Sequence, residues 1–260
     1  MKMYTANALA TDRIRGVEEL TANSWPALNT LVYDGWLLRF ARNYTRRANS
    51  ISALYASSLD IEDKLTYCEA AYSARQQPTL FKLTSACQPA DLDSILEDRG
   101  YAVSGPSMVM THADLSTIPA PDHQDVQLLA EATPAWIDAY MTMNEIAPQH
   151  LATMRDLLAQ IRLPKAFAFV LNDGVPVALG LAVVEREYVG FYDIVVDAQQ
   201  RGRGWGRQLM LNLLHFAKEH GATRAYLQVL GDNSRAVRLY SGLGFVPTYD
   251  YWYRTKDFTQ

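Results

Sequence analysis

The sequence predicts an α/β protein of two domains, each a mixed, mainly antiparallel central sheet flanked by helices. The chain has 260 residues and is 49% hydrophobic, enough to build two ordinary cores. In its second half, apolar runs of strand length alternate with segments of helical periodicity. Residues 116–125 form a polar stretch with two prolines, which is typical of a linker. This linker predicts domains of residues 1–118 and 119–260.

The second half has the clearer pattern. Thr133 is a suitable N-cap and Pro134 suits the first turn of the helix that follows. Asp173 and Gly174 separate two apolar runs, residues 166–171 and 175–184, and this predicts a hairpin because Asp-Gly supports positive φ. The other predicted elements are a helix over 150–160, strands over 188–196, 224–230 and 249–254, and helices over 204–220 and 234–243.

The first half repeats this order more faintly. Strands are predicted over residues 36–42, 48–55 and 79–84, and helices over 61–76 and 91–98. Residues 96–101 parallel residues 240–245, since each segment ends in a glycine followed by an aromatic residue. The long period favours two copies of one fold over a solenoid array.

Composition excludes several functional classes. The net charge of −4 and the pI near 5.7 argue against a nucleic-acid partner. The sequence contains no run of about 18 consecutive apolar residues, so no membrane span is predicted. Residues 1–5 lack the apolar stretch of a secretory signal. Cys68 and Cys87 are too few for a disulfide framework or a zinc site, so we expect buried thiols, no metal and a cytoplasmic protein.

The strongest local signal is the segment 193–207. An apolar strand leads into a loop with glycines at 202, 204 and 206, and an amphipathic helix begins immediately afterwards. Glycine lets the backbone approach an anion closely, and a helix start offers free amides and positive potential. Three arginines, Arg201, Arg203 and Arg207, add charge. The segment predicts a pyrophosphate site; a tight strand-to-helix turn is the alternative.

Two familiar nucleotide loops do not match this segment. No Gly-Lys-Ser/Thr tripeptide occurs, and the glycine spacing differs from G-x-G-x-x-G. Arg201-x-x-Gly204-x-Gly206 instead resembles the acyl-CoA pyrophosphate loop of the GNAT superfamily of N-acetyltransferases, and residues 233–245 are similar to the closing helix of that superfamily. The resemblance covers residues 125–255 and implies tandem GNAT-like domains, the first of them degenerate.

The resemblance also implies site residues. Backbone groups of Ile194, Val195 and Val196 would contact the pantetheine arm, and Asn233 would hydrogen-bond the same arm. Tyr240 would protonate the departing CoA thiolate. The pyrophosphate would bind at the loop and first turn, at Arg201, Gly202, Arg203, Gly204, Trp205, Gly206 and Arg207.

The geometry of an α-helix gives independent support for placing Asn233 and Tyr240 in the same site. Seven residues make nearly two helical turns, so both side chains share a helix face. A phenol with a pKa near 10 carries its proton at neutral pH and suits a thiolate leaving group. The alternative is that Tyr240 is a half-buried packing residue.

The general base is not determined by the sequence. Some relatives in the superfamily carry a glutamate five residues before the asparagine, where this chain has Gln228. Asp193 is the substitute that we assign to catalysis, with Glu185, Glu187 and a water chain as other options. Each carboxylate could equally be a solvated or capping group.

The predicted function is transfer of an acetyl group from acetyl-CoA to a primary amine by direct attack. The acceptor would be a small molecule or a peptide, and a homodimer is a possible assembly. A non-catalytic CoA sensor or scaffold and aminoacyl transfer from charged tRNA are the alternatives; the net charge counts against the latter. In the first half, residues 39–50 carry four arginines, which suits a solvated turn or an acceptor site equally.

Overall fold

The computed structural model describes residues 11–121 and 126–257. The helices of these ranges are α1 (Thr11–Ser24), α2 (Ile61–Ser73), α3 (Leu92–Asp98), α4 (Pro134–Met143), α5 (Leu151–Ala159), α6 (Trp205–Glu219) and α7 (Ser234–Ser241). The strands are β1 (Asn29–Tyr33), β2 (Trp36–Phe40), β3 (Ile51–Ala53), β4 (Thr79–Thr84), β5 (Ala102–His112), β6 (Val126–Leu129), β7 (Lys165–Asn172), β8 (Val175–Glu185), β9 (Tyr188–Val196), β10 (Arg224–Leu230) and β11 (Val246–Lys256). The α/β class is confirmed.

The chain divides into two compact units whose bounds differ from the predicted boundary at residues 118/119. The first unit contains the described residues up to Met108 and from Thr248 onward, and the second contains Val109 to Pro247. The last strand returns to the first unit because β11 pairs antiparallel with β4. Residues 122–125 of the expected linker lie outside the described residues.

The first unit has the strand order β1-β2-β3-β4-β11. The β1–β2 and β2–β3 pairs are antiparallel, whereas β3 and β4 are parallel and are joined through α2. Trp36, Tyr72 and Phe81 are buried in the core of this unit, where the rings of Trp36 and Phe81 meet edge to face at 5.5 Å.

The second unit has the strand order β10-β9-β8-β7-β6. The three pairs from β6 to β9 are antiparallel, while β9 and β10 are parallel and are joined through α6. The predicted hairpin is confirmed: Asp173 and Gly174 connect β7 to β8 with φ of 51° and 78°. Trp136 of α4 is fully buried and packs edge to face on Phe167 at 5.0 Å.

Two antiparallel pairs in the first unit and three in the second therefore precede a parallel crossover through a helix. The units also share one helix ending. The Tyr101 amide donates to the Leu96 carbonyl at 2.9 Å, and the Phe245 amide donates to the Tyr240 carbonyl at 3.0 Å. The residue before each aromatic is a glycine with φ of 84° or 89°. These matches support two copies of one fold.

Several predicted bounds were wrong. Helix α2 ends at Ser73 instead of residue 76, α7 ends at Ser241 instead of residue 243, and the strand predicted over 48–55 is confined to Ile51–Ala53. Four elements were missed: α1, β1, β5 and β6. Among the described residues, no helix is both long and apolar enough to span a membrane.

Candidate active site

The site begins with a bulge in strand β9. Leu179 pairs with Val195 and Leu181 pairs with Tyr192, so Gly180 faces two residues of β9 instead of one. A Cβ at Gly180 would overlap the end of the Ile194 side chain, which would have to shift to make room for it. The bulge changes the direction of β9 just before its last three residues.

Strands β9 and β10 separate beyond this point. Their parallel pairing runs from Tyr188 and Arg224 to Phe191 and Leu227, although β9 continues to Val196. The edge of residues 194–196 that would continue this pairing therefore has no partner in the β9–β10 register. Backbone amides and carbonyls on such an edge can hydrogen-bond an extended ligand, as an added strand would.

The start of helix α6 provides a second set of backbone donors. Gly202 and Gly204 have φ of 81° and 87°, a conformation that side chains rarely adopt, and an added Cβ at either would meet open space. The amides of Arg207 and residue 208 both donate to the Gly204 carbonyl. The earlier amides of the first turn have no intrahelical acceptor, and glycine at the N-cap brings no side chain to them.

These elements enclose a cleft of about 560 Å³ in the second unit. Eleven of the predicted residues line it: Ile194, Val195, Val196, Arg201, Gly202, Gly204, Trp205, Gly206, Arg207, Asn233 and Tyr240. Arg203 and Asp193 are not among the lining residues. Three arginines and no aspartate or glutamate line the cleft within the described ranges, so its charge suits an anion.

Sequence reasoning missed four lining residues. Arg235, Ala236 and Leu239 belong to α7, and their spacing relative to Asn233 and Tyr240 could have indicated them. Asn144 lies at the C-terminal end of α4, where its side-chain amide donates to the Tyr140 carbonyl at 3.0 Å. No local signal connects that position with a cleft more than fifty residues further along the chain.

Tyr240 and Asn233 share the cleft. Tyr240 is buried, and this burial raises the pKa of its phenol to about 12, so the hydroxyl is protonated at neutral pH. Asn233 is the N-cap of α7, because its side-chain oxygen accepts from the Ala236 amide at 3.1 Å. The amide nitrogen of the same side chain is a donor in a residue that lines the cleft.

The candidates for the general base occupy different places. Asp193 lies at the bulge with φ of 54°. Glu185 and Glu187 lie at the β8–β9 turn, and at about 3.3 Å per residue Glu187 is roughly 20 Å along the strand from Ile194. Glu185 and Glu187 are therefore too distant from the cleft to act directly as the base. Gln228 is the first residue of β10 beyond its last pair with β9.

Among the described residues, no group of three or more histidines, cysteines or acids could hold a metal.

In the first unit, the corresponding loop, which precedes α2, makes different contacts. The Asp34 carboxylate accepts from the amides of Ser58 at 3.0 Å and Leu59 at 2.9 Å, just before α2. Asp60 caps that helix by accepting from the amides of its first turn. The buried Lys64 ammonium lies 3.2 Å from Asp34. These amides, with the one from Leu59 contributing most, hold the pKa of Asp34 well below its usual range.

The fold and the sequence relatives define an N-acetyltransferase of the GNAT type. The chain belongs to the family described as probable histone acetyltransferase Rv0428c C-terminal, which matches residues 11–254. It is 30% identical over 248 residues to the uncharacterized N-acetyltransferase YobR of Bacillus subtilis (strain 168), an alignment that covers 94% of this chain and 99% of YobR.

Solved structures agree on the fold. A GCN5-related N-acetyltransferase from Kribbella flavida superposes with a TM-score of 0.70 at 17% identity and covers 96% of each chain. A tandem GNAT protein from the clavulanic acid biosynthesis pathway superposes with a TM-score of 0.58 at 14% identity, over 76% of this chain and 70% of that one. The predicted GNAT class and the tandem α/β architecture are thereby confirmed.

Proposed function

We propose that the second unit transfers an acetyl group from acetyl-CoA to a primary amine by direct attack, with Tyr240 as the general acid. One observation carries the proposal: a buried, protonated phenol lines the same cleft as an uncapped helix start and three arginines. The cosubstrate supplies an activated acetyl thioester, and the chain's own groups bind and orient it.

The binding groups suit the chemistry of CoA. The free amides at the start of α6, with Arg201 and Arg207, would hold the pyrophosphate. The unpaired edge of residues 194–196 would accept the amide-containing pantetheine arm as a strand-like partner. Amides on this edge would also polarise the thioester carbonyl, which is the usual means of stabilising acyl transfer.

Tyr240 would hold a proton on its hydroxyl until the carbon–sulfur bond breaks and would then give it to the sulfur. The amine must lose a proton before or during attack, and Gln228 cannot accept one. We therefore assign this proton to a water chain or to Asp193. No cysteine intermediate is needed: Cys68 and Cys87 are buried in the first unit, and burial raises the pKa values of their thiols to about 12 and about 11.

The test is acetyl-CoA turnover by the full chain with a panel of primary amines, followed as release of the free CoA thiol. A lysine-containing peptide belongs in the panel because the family description names a histone acetyltransferase. We expect turnover that depends on the amine. CoA binding with no transfer to any amine would instead favour the second candidate, a CoA sensor, for which Gln228 in place of a glutamate is the motivating observation.

A further inference from the structure

The first unit contains a second cleft that the acetyl-transfer chemistry does not use. Its volume is about 520 Å³, and it lies where strand β2, the loop after it and the C-terminal end of α2 meet. Its walls come from the first unit alone. The loop belongs to the arginine-rich segment 39–50, for which the sequence left a solvated turn and a ligand site equally open.

The rim of this cleft is held in an unusual backbone conformation. Arg42, Asn43 and Gln76 line it and have φ of 49°, 59° and 54°, a region that costs about 1 kcal/mol or more for residues other than glycine. The buried Asn49 fixes the loop: its side-chain oxygen accepts from the amides of Ala41 at 2.7 Å and Asn43 at 3.0 Å. The rim is therefore set before any ligand arrives.

The charge of the cleft is positive. The Arg75 guanidinium lies 4.1 Å from the centre of the Phe40 ring and donates to the Ala71 carbonyl at 2.7 Å. A guanidinium has five N–H donors, so this orientation leaves others for a ligand. Arg42 adds a second guanidinium, and no aspartate or glutamate is among the described residues that line the cleft.

Gln77 adds a hydrogen-bond acceptor. The residue is only 7% exposed, and its side-chain oxygen is buried without a hydrogen-bond partner among the described residues. Its backbone amide donates to the Tyr72 carbonyl at 3.1 Å, so the residue is otherwise fixed. A buried acceptor without a donor costs about 1–3 kcal/mol, and a ligand with an O–H or N–H group would remove that cost.

We propose that this cleft binds a small oxyanion that also carries a hydrogen-bond donor. Arg42 and Arg75 bind the oxyanion, and the side-chain oxygen of Gln77 accepts from the donor. Hydrogen phosphate and a hydroxycarboxylate share this chemistry. Sulfate and acetate have the negative charge without the hydrogen-bond donor at neutral pH. Comparison with them therefore tests the need for the donor separately from the need for the charge.

The experiment is calorimetric titration of the full chain with inorganic phosphate, sulfate, lactate and acetate. Saturating CoA is present so that anion binding in the second unit is suppressed. We expect saturable binding of phosphate or lactate, at least tenfold tighter than sulfate or acetate respectively. Whichever of phosphate and lactate binds more tightly identifies the class of ligand.

Substitutions locate the site. Arg75→Ala should weaken the better anion at least tenfold, and Arg75→Lys should weaken it less because the charge remains. Gln77→Leu should reduce phosphate affinity to that of sulfate while sulfate affinity stays unchanged. Arg13→Ala on α1, which removes the same charge and does not line the cleft, is the matched control.

Three results would overturn the proposal. The first is no saturable binding of any of the four anions. The second is equal affinity for phosphate and sulfate together with equal affinity for lactate and acetate in the unmodified chain. The third is binding that Arg75→Ala and Arg13→Ala weaken equally. If Gln77→Leu does not fold, the comparison of phosphate with sulfate still tests the acceptor. Because these readouts do not involve acetyl transfer, the proposal does not depend on the proposed function.

Discussion

The Leu59 amide donates a 2.9 Å hydrogen bond to the Asp34 carboxylate. In the second unit, the loop after β9, the last antiparallel strand before the parallel crossover, leads to an uncapped helix start that suits a phosphate. In the first unit, the loop at the corresponding place, between β3 and the crossover helix α2, is bound to a carboxylate of the chain itself. The first unit thus contains an internal anion where a pyrophosphate would otherwise bind.

We therefore predict one CoA equivalent per chain. Asp34, Asp60 and the acids of the first turn of α2 repel a pyrophosphate, and Asp34 and Asp60 already accept from the amides that would bind it. The measurement is the stoichiometry of calorimetric CoA titration. A value near two would mean that the first unit rearranges to bind CoA.

The same contact predicts a pH dependence of stability. Hydrogen bonds from the loop lower the folded-state pKa of Asp34, so its stabilising contribution is complete above the unfolded value near 3.8 and is lost as the pH falls. Asp34→Asn keeps the side-chain shape, and asparagine tolerates the observed φ of 41°. Its urea midpoint should be lower than that of the unmodified chain at neutral pH, with a smaller difference below about pH 3. A difference independent of pH would contradict the assignment.

Gly204→Glu should abolish CoA binding. The substitution adds a negative side chain where phosphate would bind and forces glutamate into a φ of 87°. Gly174→Glu is the matched control, because Gly174 also has positive φ, faces open space and lies in the β7–β8 turn, outside the cleft. Calorimetric affinity should fall in the first variant only. Equal affinity in both would refute the loop assignment.

Tyr240→Phe should lower turnover about 10²-fold with little change in CoA affinity, since it removes the proton donor and keeps the ring. Because burial raises the pKa of Tyr240 to about 12, the phenol should remain an acid up to about pH 10. Tyr72→Phe is the control: that buried hydroxyl donates to the Arg39 carbonyl in the first unit. Unchanged turnover at an unchanged melting temperature would make Tyr240 a packing residue.

Glu18→Gln should destabilise the folded chain by about 3–5 kcal/mol. Glu18 is buried, 2.5 Å from the Lys82 ammonium, and it accepts from the Tyr249 hydroxyl at 2.8 Å. Losing the carboxylate would leave a buried ammonium without its counter-charge. Glu131→Gln is the control, because the Glu131 carboxylate in its ion pair with Lys165 is exposed to water and the pair should contribute no more than about 1 kcal/mol. Equal urea midpoints for the two variants would contradict this.

The elements that sequence patterns located are those with strong local signals. Strand β9, strand β10 and strand β4 have the predicted bounds, because each is a compact apolar run between polar segments. The missed strands lack that pattern: four residues of β1 are exposed, and β5 contains Gly105 and Pro106. Helix bounds shifted by one to three residues, since terminal turns depend on capping contacts.

By itself, the sequence determined the α/β class, the hairpin at Asp173-Gly174, the glycine–arginine loop and the shared helix face of Asn233 and Tyr240. These features depend on neighbours within about a dozen residues, where periodicity and φ preferences decide the structure. Tertiary structure decided the rest: the place of Asn144 in the cleft, the distance of Glu187 from it, and the return of β11 to the first unit. The contact of Asp34 with its loop spans 25 residues of sequence, and such a pairing follows from strand register and packing, which no local pattern encodes.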